Sequence, residues 1–275
     1  MTTAFVLSGG TNLGAVQVGM AAALAEAGIA PDLVVGTSVG ALNGAWLAAR
    51  RPLVGLEERW LQLHRRDIFP LNPVGVIAAL SGRRSHLVAP RRLRRLVTDQ
   101  LAFAALENAP IPFTVIATDA LTGSAVALDS GPAVEALMAS SAIPGVFPPV
   151  EIDGRTLVDG GLADNASIGT ALVAGADDVW VLAAGWGCPV ETGRGAVAAA
   201  TSAALSLVHQ RLALELAALS PARRSQVRVL PSPCMAGRSP LDFSRSGDLM
   251  AAARRETAAW LEAGAAPMGP PTYLP

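Results

Sequence analysis

The stretch Leu33-Val34-Val35-Gly36-Thr37-Ser38-Val39-Gly40-Ala41-Leu42-Asn43-Gly44 decides how the rest of the chain is read. A short apolar run makes a buried strand, Gly36 to Gly40 is too rich in glycine to continue it, and the apolar spacing that follows to about Arg50 is helical. Strand, tight turn and helix in that order make one βα unit. The pattern upstream is the same: Ala4 to Leu7 is apolar, Ser8-Gly9-Gly10 breaks the run, and Ala15 to Ala27 keeps helical spacing until Gly28 ends it. Two successive βα units require parallel strands joined by crossover helices. Further strands are expected at Phe113 to Ala117, Ala125 to Leu128, Val179 to Ala183 and Val227 to Leu230. Helices are expected around Leu53 to Arg65, Arg91 to Leu101, Val134 to Ser140, Ile168 to Gly175, Val197 to Leu219 and Asp248 to Ala263. The fold class is α/β.

No domain boundary or internal repeat interrupts this order, so residues 1–265 read as one domain, followed by an irregular Pro-rich tail over 266–275. Charged residues are 16% of the 275 and hydrophobic ones 51%, against roughly 25% charged in an average globular chain. A surface so sparse in charge suits contact with an apolar partner, although much of the excess is alanine, which makes no surface sticky. A net charge of −1 lacks the basic footprint of nucleic-acid binding, and no such partner is expected. The beginning of the chain has no basic n-region, and Gly195 to Val208, the longest weakly polar stretch, falls short of a membrane span. A cytoplasmic protein, in part peripheral to membrane, is the expectation. Cys188 and Cys234 match neither a disulfide framework nor a metal-ligand spacing and are given no role. No metal or other cofactor is expected.

The chemistry is concentrated in the turns. Gly36-Thr37-Ser38-Val39-Gly40 is a G-x-S-x-G pattern in strand-to-helix context, where a serine hydroxyl projects from the sheet edge and the helix N-terminus offers backbone N–H groups. Gly9-Gly10-Thr11-Asn12-Leu13-Gly14 lies at the same edge and supplies a second set of donors, as an oxyanion hole requires. A dinucleotide fingerprint fits less well, because Thr11 stands at the middle glycine and no acid ends the second strand. A serine needs a base. His64, His86 and His209 lack a loop motif around them, and His209 sits inside a helical pattern, where it could complete a Ser-Asp-His order. Asp159 follows the apolar run Thr156-Leu157-Val158 and precedes Gly160-Gly161, which reads either as a carboxylate at a strand end beside a pocket or as the Asp-Gly turn of a hairpin.

The blocks Leu7 to Gly10 with Gly14, Gly36 to Gly44, Ala117 to Asp119 with Thr122-Gly123, Ala139 to Pro149, and Val158 to Gly161 with Asn165 resemble bacterial patatin-like phospholipases in order and approximate spacing. The resemblance covers about Ala4 to Asn165. It implies a three-layer fold with a mostly parallel central sheet flanked by helices. It also implies a Ser-Asp dyad without histidine: Ser38 attacks an acyl carbonyl, Asp159 takes its proton, and water releases the acyl-enzyme. By the same resemblance the substrate is a phospholipid or other acyl ester, the oxyanion hole draws on Gly9, Gly10, Thr11, Gly14 and Val39, and Leu13, Pro144 and Phe147 belong to the substrate pocket. The family's first turn usually reads G-G-G-x-R/K-G, whereas this chain has Thr11 for the third glycine and Leu13 for the basic residue. An acyltransferase sharing the acyl-enzyme, and a non-catalytic acyl-binding or regulatory homologue, stand beside the hydrolase as alternatives.

Two further stretches bear on lipid. The arginines from Arg83 to Arg95 surround the apolar stripe Leu93, Leu96, Val97 and Leu101, so one face can rest on an anionic membrane while the other packs or inserts. The alternative is an ordinary solvated basic face. Asn72 to Pro90, with its Pro, Gly and Arg residues, suits a mobile cover over a site.

Overall fold

A computed structural model describes residues 1–70, 81–185, 210–234 and 242–265. Among these residues eight strands form one sheet: β1 (Thr3–Leu7), β2 (Leu33–Thr37), β3 (Phe113–Asp119), β4 (Ala125–Leu128), β5 (Val150–Ile152), β6 (Arg155–Asp159), β7 (Asp178–Leu182) and β8 (Val227–Val229). Pairing follows the path β5-β6-β3-β2-β1-β7-β8, with β4 added to β3. The five strands from β3 to β8 along that path are parallel, β4 and β6 run against them, and β5 pairs antiparallel with β6.

The helices are α1 (Gly14–Glu26), α2 (Val39–Ala48), α3 (Leu53–Gln62), α4 (Arg65–Ile68), α5 (Arg91–Gln100), α6 (Ala133–Ser140), α7 (Ile168–Val173), a helical stretch at 210–218, and α8 (Ser246–Glu262). Strand alternation divides them into two layers. Phe5, Leu7, Val34, Trp180 and Leu182 point into a core shared with α1, α2, α3 and α8. Ala4, Val6, Leu33, Val35, Val179 and Val181 point into a second core with α7 and the 210–218 stretch. Three layers and a mostly parallel sheet agree with the expectation. No helix among the described residues is long and apolar enough to cross a membrane.

The sequence reading differs from the structure in several places. β5 was not anticipated. It forms a hairpin with β6 through Asp153-Gly154, both at positive φ (49° and 74°), the backbone that a two-residue hairpin turn favours. The hairpin signal belongs to this Asp-Gly pair, not to Asp159-Gly160. The expected helix from Leu53 to Arg65 is two, broken after Gln62. Of the expected cover, Leu87 and Val88 donate backbone hydrogen bonds to Gly145 and Val146, which ties that part down; the rest falls partly outside the described residues, as do the 266–275 tail and most of the helix from Val197. Cys234 is disulfide-bonded, a product of tertiary placement that spacing along the chain does not reveal; Cys188 lies outside the described residues.

One detail of register positions everything that follows. Ile116 of β3 pairs with Thr37 of β2 and with Ala127 of β4, while the next residue, Ala117, pairs with Asp159 of β6 and with Val126 of β4. A strand residue has only two lateral neighbours, so β4 occupies one edge of β3 throughout. β2 and β6 must therefore share the other edge, arriving from opposite directions. The C-terminal ends of β2 and β6 thus meet head-on, and the residues that leave them are Ser38 and Gly160.

Candidate active site

Ser38 stands alone between β2 and α2 at φ 54° and ψ −123°, a region that non-glycine residues avoid and occupy only when the surroundings impose it. Two restraints do so. Its N–H donates to Ser140 Oγ at 2.8 Å, and that hydroxyl in turn donates to the Ile116 carbonyl at 2.6 Å. Gly40, the second residue of α2, lies so close to β1 that a Cβ there would stand 2.2 Å from the Leu7 carbonyl oxygen. The helix can start this near the sheet only without a side chain at that position.

Asp159 faces Ser38 from the opposing strand end. The Ser38 hydroxyl donates to Asp159 Oδ2 at 2.7 Å, and the Gly161 N–H donates to Oδ1 at 2.9 Å. The aspartate backbone is also clamped, its N–H by the Ala142 carbonyl and its carbonyl by the Thr118 hydroxyl. Gly160 lets the chain pass over the end of β2, since a Cβ there would meet the Ile116 carbonyl oxygen at 2.2 Å. Burial pushes the Asp159 carboxyl up to about 6, against the Ser38 and Gly161 hydrogen bonds, which favour its charged form. Such a group is ionised near neutral pH and still basic enough to accept a proton.

The first turn packs against this pair. Gly9 lies beside Ser38, where a Cβ would come within 3.2 Å of the serine Cβ, and its N–H donates to Asn165 Oδ1. Thr11 to Leu13 form a 3-10 turn, with Thr11 at φ 49°. Gly14 opens α1 against Val39 of α2, so the two helix N-termini converge. A buried polar network supports the turn from below. Gln17 Nε2 donates to the carbonyls of Ser8 and Leu182, Asn43 Nδ2 donates to Gln17 Oε1, and Trp60 Nε1 donates to Asn43 Oδ1.

Ser38 opens into a narrow apolar cavity of about 80 Å³, walled by Leu42, Trp60, Phe69, Leu93, Phe147 and Phe243. Phe69 stacks on Phe147 at 5.7 Å between centroids and Trp60 on Phe243 at 6.2 Å. Ser141 also lines it, with a buried hydroxyl that makes no hydrogen bond. A hydroxyl of that kind suits a ligand atom better than an empty wall.

The structure brings Ser38, Asp159, Gly9, Gly10, Thr11, Gly14 and Val39 together. Two of these are corrected as oxyanion donors: Gly9 gives its N–H to Asn165, and Gly14 gives its own back to the 3-10 turn. Both act through close packing. Of the expected pocket residues, Phe147 lines the cavity, whereas Leu13 and Pro144 do not. Leu13 is turned into the core beside α1, and Pro144 is solvent-exposed on its loop. The stripe of α5 is a pocket and core wall through Leu93, Leu96 and Val97, and Arg94 is paired with Glu135 at 2.5 Å, so that helix offers lipid only its remaining cationic face. His209 lies outside the described residues. Gln17, Trp60, Phe69 and Phe243 were not singled out from sequence. A glutamine inside the apolar run of α1 was the one available signal, because a polar residue there must find buried partners.

A family model described as patatin-like phospholipase matches residues 5–172, more than half of the chain. An NTE family protein of Mycobacterium tuberculosis (strain ATCC 25618 / H37Rv) is 37% identical over 164 residues, 58% of this chain and 43% of that protein. Lysophospholipase NTE1 of Mycosarcoma maydis is 29% identical over 192 residues, 67% of this chain and 10% of that protein. The chain spans less than half the length of these curated relatives. Among solved structures, VipD from Legionella pneumophila aligns with a TM-score of 0.49 at 14% identity, over 95% of this chain and 67% of that one.

Proposed function

The chain belongs to the patatin-like phospholipase family, and from that membership we propose that it is a serine acyl hydrolase of lipid esters, with Ser38 as nucleophile and Asp159 as base. The observation that carries the proposal is the 2.7 Å hydrogen bond from the Ser38 hydroxyl to a buried carboxylate, made at a strained turn that opens into an apolar cavity. The reaction then runs in two halves. Ser38 Oγ attacks the ester carbonyl carbon as its proton passes to Asp159. The negative oxygen of the tetrahedral intermediate is held by backbone N–H groups of Gly10, Thr11 and Val39. Val39 is in the first turn of α2, where amides have no acceptor within the helix, and each such donor is worth roughly 3 to 4 kcal/mol in the transition state. The intermediate collapses, the alkoxide leaves with the proton from Asp159, and the acyl group stays on Ser38. Water repeats the sequence, its proton passing through Asp159 back to Ser38 as the fatty acid departs. A carboxyl held at about 6 can both take and return that proton.

Peripheral contact with anionic membrane belongs to this reading, through Arg91, Arg92 and Arg95 of α5 and through Arg83 and Arg84 before it. The test is fluorophosphonate labelling of the wild type beside Ser38→Ala and Asp159→Asn, with product analysis in the presence and absence of an alcohol acceptor. Labelling and free fatty acid that are lost with Ser38 support hydrolysis. Acyl transfer as the main product would assign the acyl-enzyme to a transferase, and an unlabelled, folded wild type would overturn the catalytic reading.

A further inference from the structure

A second cavity opens beside the acyl pocket and shares Leu63, Phe69 and Phe243 with it as walls. It is larger, about 890 Å³, and its lining changes from apolar to cationic: Arg65 and Arg66 of α4 and Arg92 of α5 all face it. Among the described residues, ion pairs engage Arg94, Arg228, Arg245 and Arg254, and none engages Arg65, Arg66 or Arg92. Arg92 Nη1 donates to the Arg66 carbonyl at 2.9 Å, which locks α5 against α4 and gathers the cations at one place. The opposing acid in the lining is Asp242, whose Oδ1 already accepts the N–H and hydroxyl of Ser244. His64 also lines the cavity, with its ring 3.6 Å from Asp67. Among the described residues, three guanidiniums and one engaged carboxylate line this concave surface, a balance that favours an anion, and guanidinium groups match phosphate and carboxylate oxygens in pairs.

We propose that this cavity is an anion subsite, holding a phosphate or carboxylate carried on the alcohol part of the substrate while the acyl chain occupies the apolar pocket beside it. The proposal rests on the hydrolase reading, because it places the two halves of one ester on either side of the shared wall. It specifies the substrate class as acyl esters with an anionic headgroup, in preference to neutral glycerides.

Calorimetry on the Ser38→Ala protein tests it without turnover, using monomeric decyl phosphate, uncharged decyl glucoside and inorganic phosphate as probes. Decyl phosphate is expected to bind at least about tenfold more tightly than decyl glucoside. Arg66→Gln combined with Arg92→Gln is expected to abolish that difference. Arg91→Gln combined with Arg95→Gln, the same charge change on α5 away from the cavity, is expected to leave it. Arg65→Gln alone should weaken decyl phosphate severalfold and keeps the test readable if loss of the Arg92 to Arg66 bond loosens α4. Equal binding of the two amphiphiles, equal losses in the two double variants, or inorganic phosphate bound as tightly as decyl phosphate would each overturn the subsite, the last by assigning the cavity to free phosphate. Turnover of p-nitrophenyl butyrate by the arginine variants with Ser38 intact separates the two readings. Retained turnover with no headgroup preference sinks the subsite alone, and a headgroup preference without any Ser38-dependent turnover sinks the hydrolase alone.

Discussion

Between β2 and α2 the chain turns on one residue, Ser38, and holds it at φ 54°; between β1 and α1 it uses Ser8 to Leu13, inserts a 3-10 turn, and places its positive φ on Thr11. The two turns lie side by side at the same sheet edge and do opposite things with backbone and side chain. In the β2 turn the backbone is tied down, by Ser140 and by the closeness of Gly40 to β1, so that one side chain is presented. In the β1 turn the side chains are the ties. The Ser8 hydroxyl accepts the Ala184 N–H and Gln17 holds the Ser8 carbonyl, while the backbone around Gly10 and Thr11 is what meets the site. A sharp elbow serves a nucleophile because it aims one group. A longer turn serves an anion because it aims several amides. The two turns should therefore respond differently to the same kind of change.

The largest difference is expected from removing a hydroxyl on each side. Ser38→Ala should lower kcat on p-nitrophenyl esters by on the order of 10⁴-fold or more, as losing the nucleophile does in other serine hydrolases. Thr11→Val, which keeps the N–H, should stay within about threefold of wild type, because a β-branched side chain is already accommodated there. Comparable losses in both would mean that the β1 turn acts through its side chain, and the contrast would be gone.

Next comes the contact between the turns. In Gly40→Ala the new Cβ would stand 2.2 Å from the Leu7 carbonyl oxygen and 2.5 Å from that of Ser8. Both obstacles are backbone, so α2 must move off β1. A loss of about 3 kcal/mol in denaturant unfolding is expected. A change below about 1 kcal/mol would show that the two turns are not rigidly coupled.

Asp159 gives a smaller effect of opposite sign on stability. Its carboxyl is raised from 3.8 to about 6 by burial, so between those values the folded state binds more protons than the unfolded one. The contribution of this one group to stability is then highest below about pH 4, falls as pH rises through about 6, and is flat above it. Asp159→Asn removes the ionisable group, and at pH 7.5 it should unfold about 2 kcal/mol less readily than wild type while losing esterase activity. The wild-type kcat/KM should rise along an acid limb centred near pH 6, since only the ionised carboxylate can take the serine proton. Lost activity with no gain in stability would place the aspartate in a wetter site than its burial indicates.

What could be read from sequence, and what could not, follows the same division. Ser38 and Asp159 were legible because glycines flank them at strand ends, and glycine is required wherever backbone meets backbone, as Gly40 and Gly160 do. Their meeting was not legible from residues alone. It depends on β2 and β6 sharing one edge of β3, a matter of register between segments about 120 residues apart in the chain, the Ser38 to Asp159 separation being 121. The pocket walls escaped for a similar reason. Trp60 and Phe69 lie far along the chain from Phe243, and an aromatic residue in a helix or loop looks the same whether it lines a cavity or fills a core; Phe147 was the exception, because it sits in a block that carries the family resemblance. The cationic cavity was partly visible as an arginine-rich helix, but which arginines Glu135 neutralises was not.

The smallest prediction bears on the residue that most separates the two turns. Thr11 is β-branched and sits at φ 49°, a conformation that costs an L-residue roughly 1 to 2 kcal/mol and that glycine adopts freely. Its hydroxyl offers little in return, being 3.5 Å from Asn12 Oδ1. Thr11→Gly should relieve the strain but concede part of the gain to the greater freedom of the unfolded chain, about 0.5 to 1 kcal/mol. The net expectation is a stabilisation of about 0.5 kcal/mol, read as a Tm rise of roughly 1 to 2 °C. Turnover should stay within about threefold of wild type, since the N–H proposed to hold the oxyanion is the same in both proteins. A clear rise in kcat would show that the strained threonine holds that N–H slightly out of line. A clear fall would show that its stiffness preorganises the amide, and the β1 turn would then use a side chain to aim its backbone, much as Ser140 does for the other.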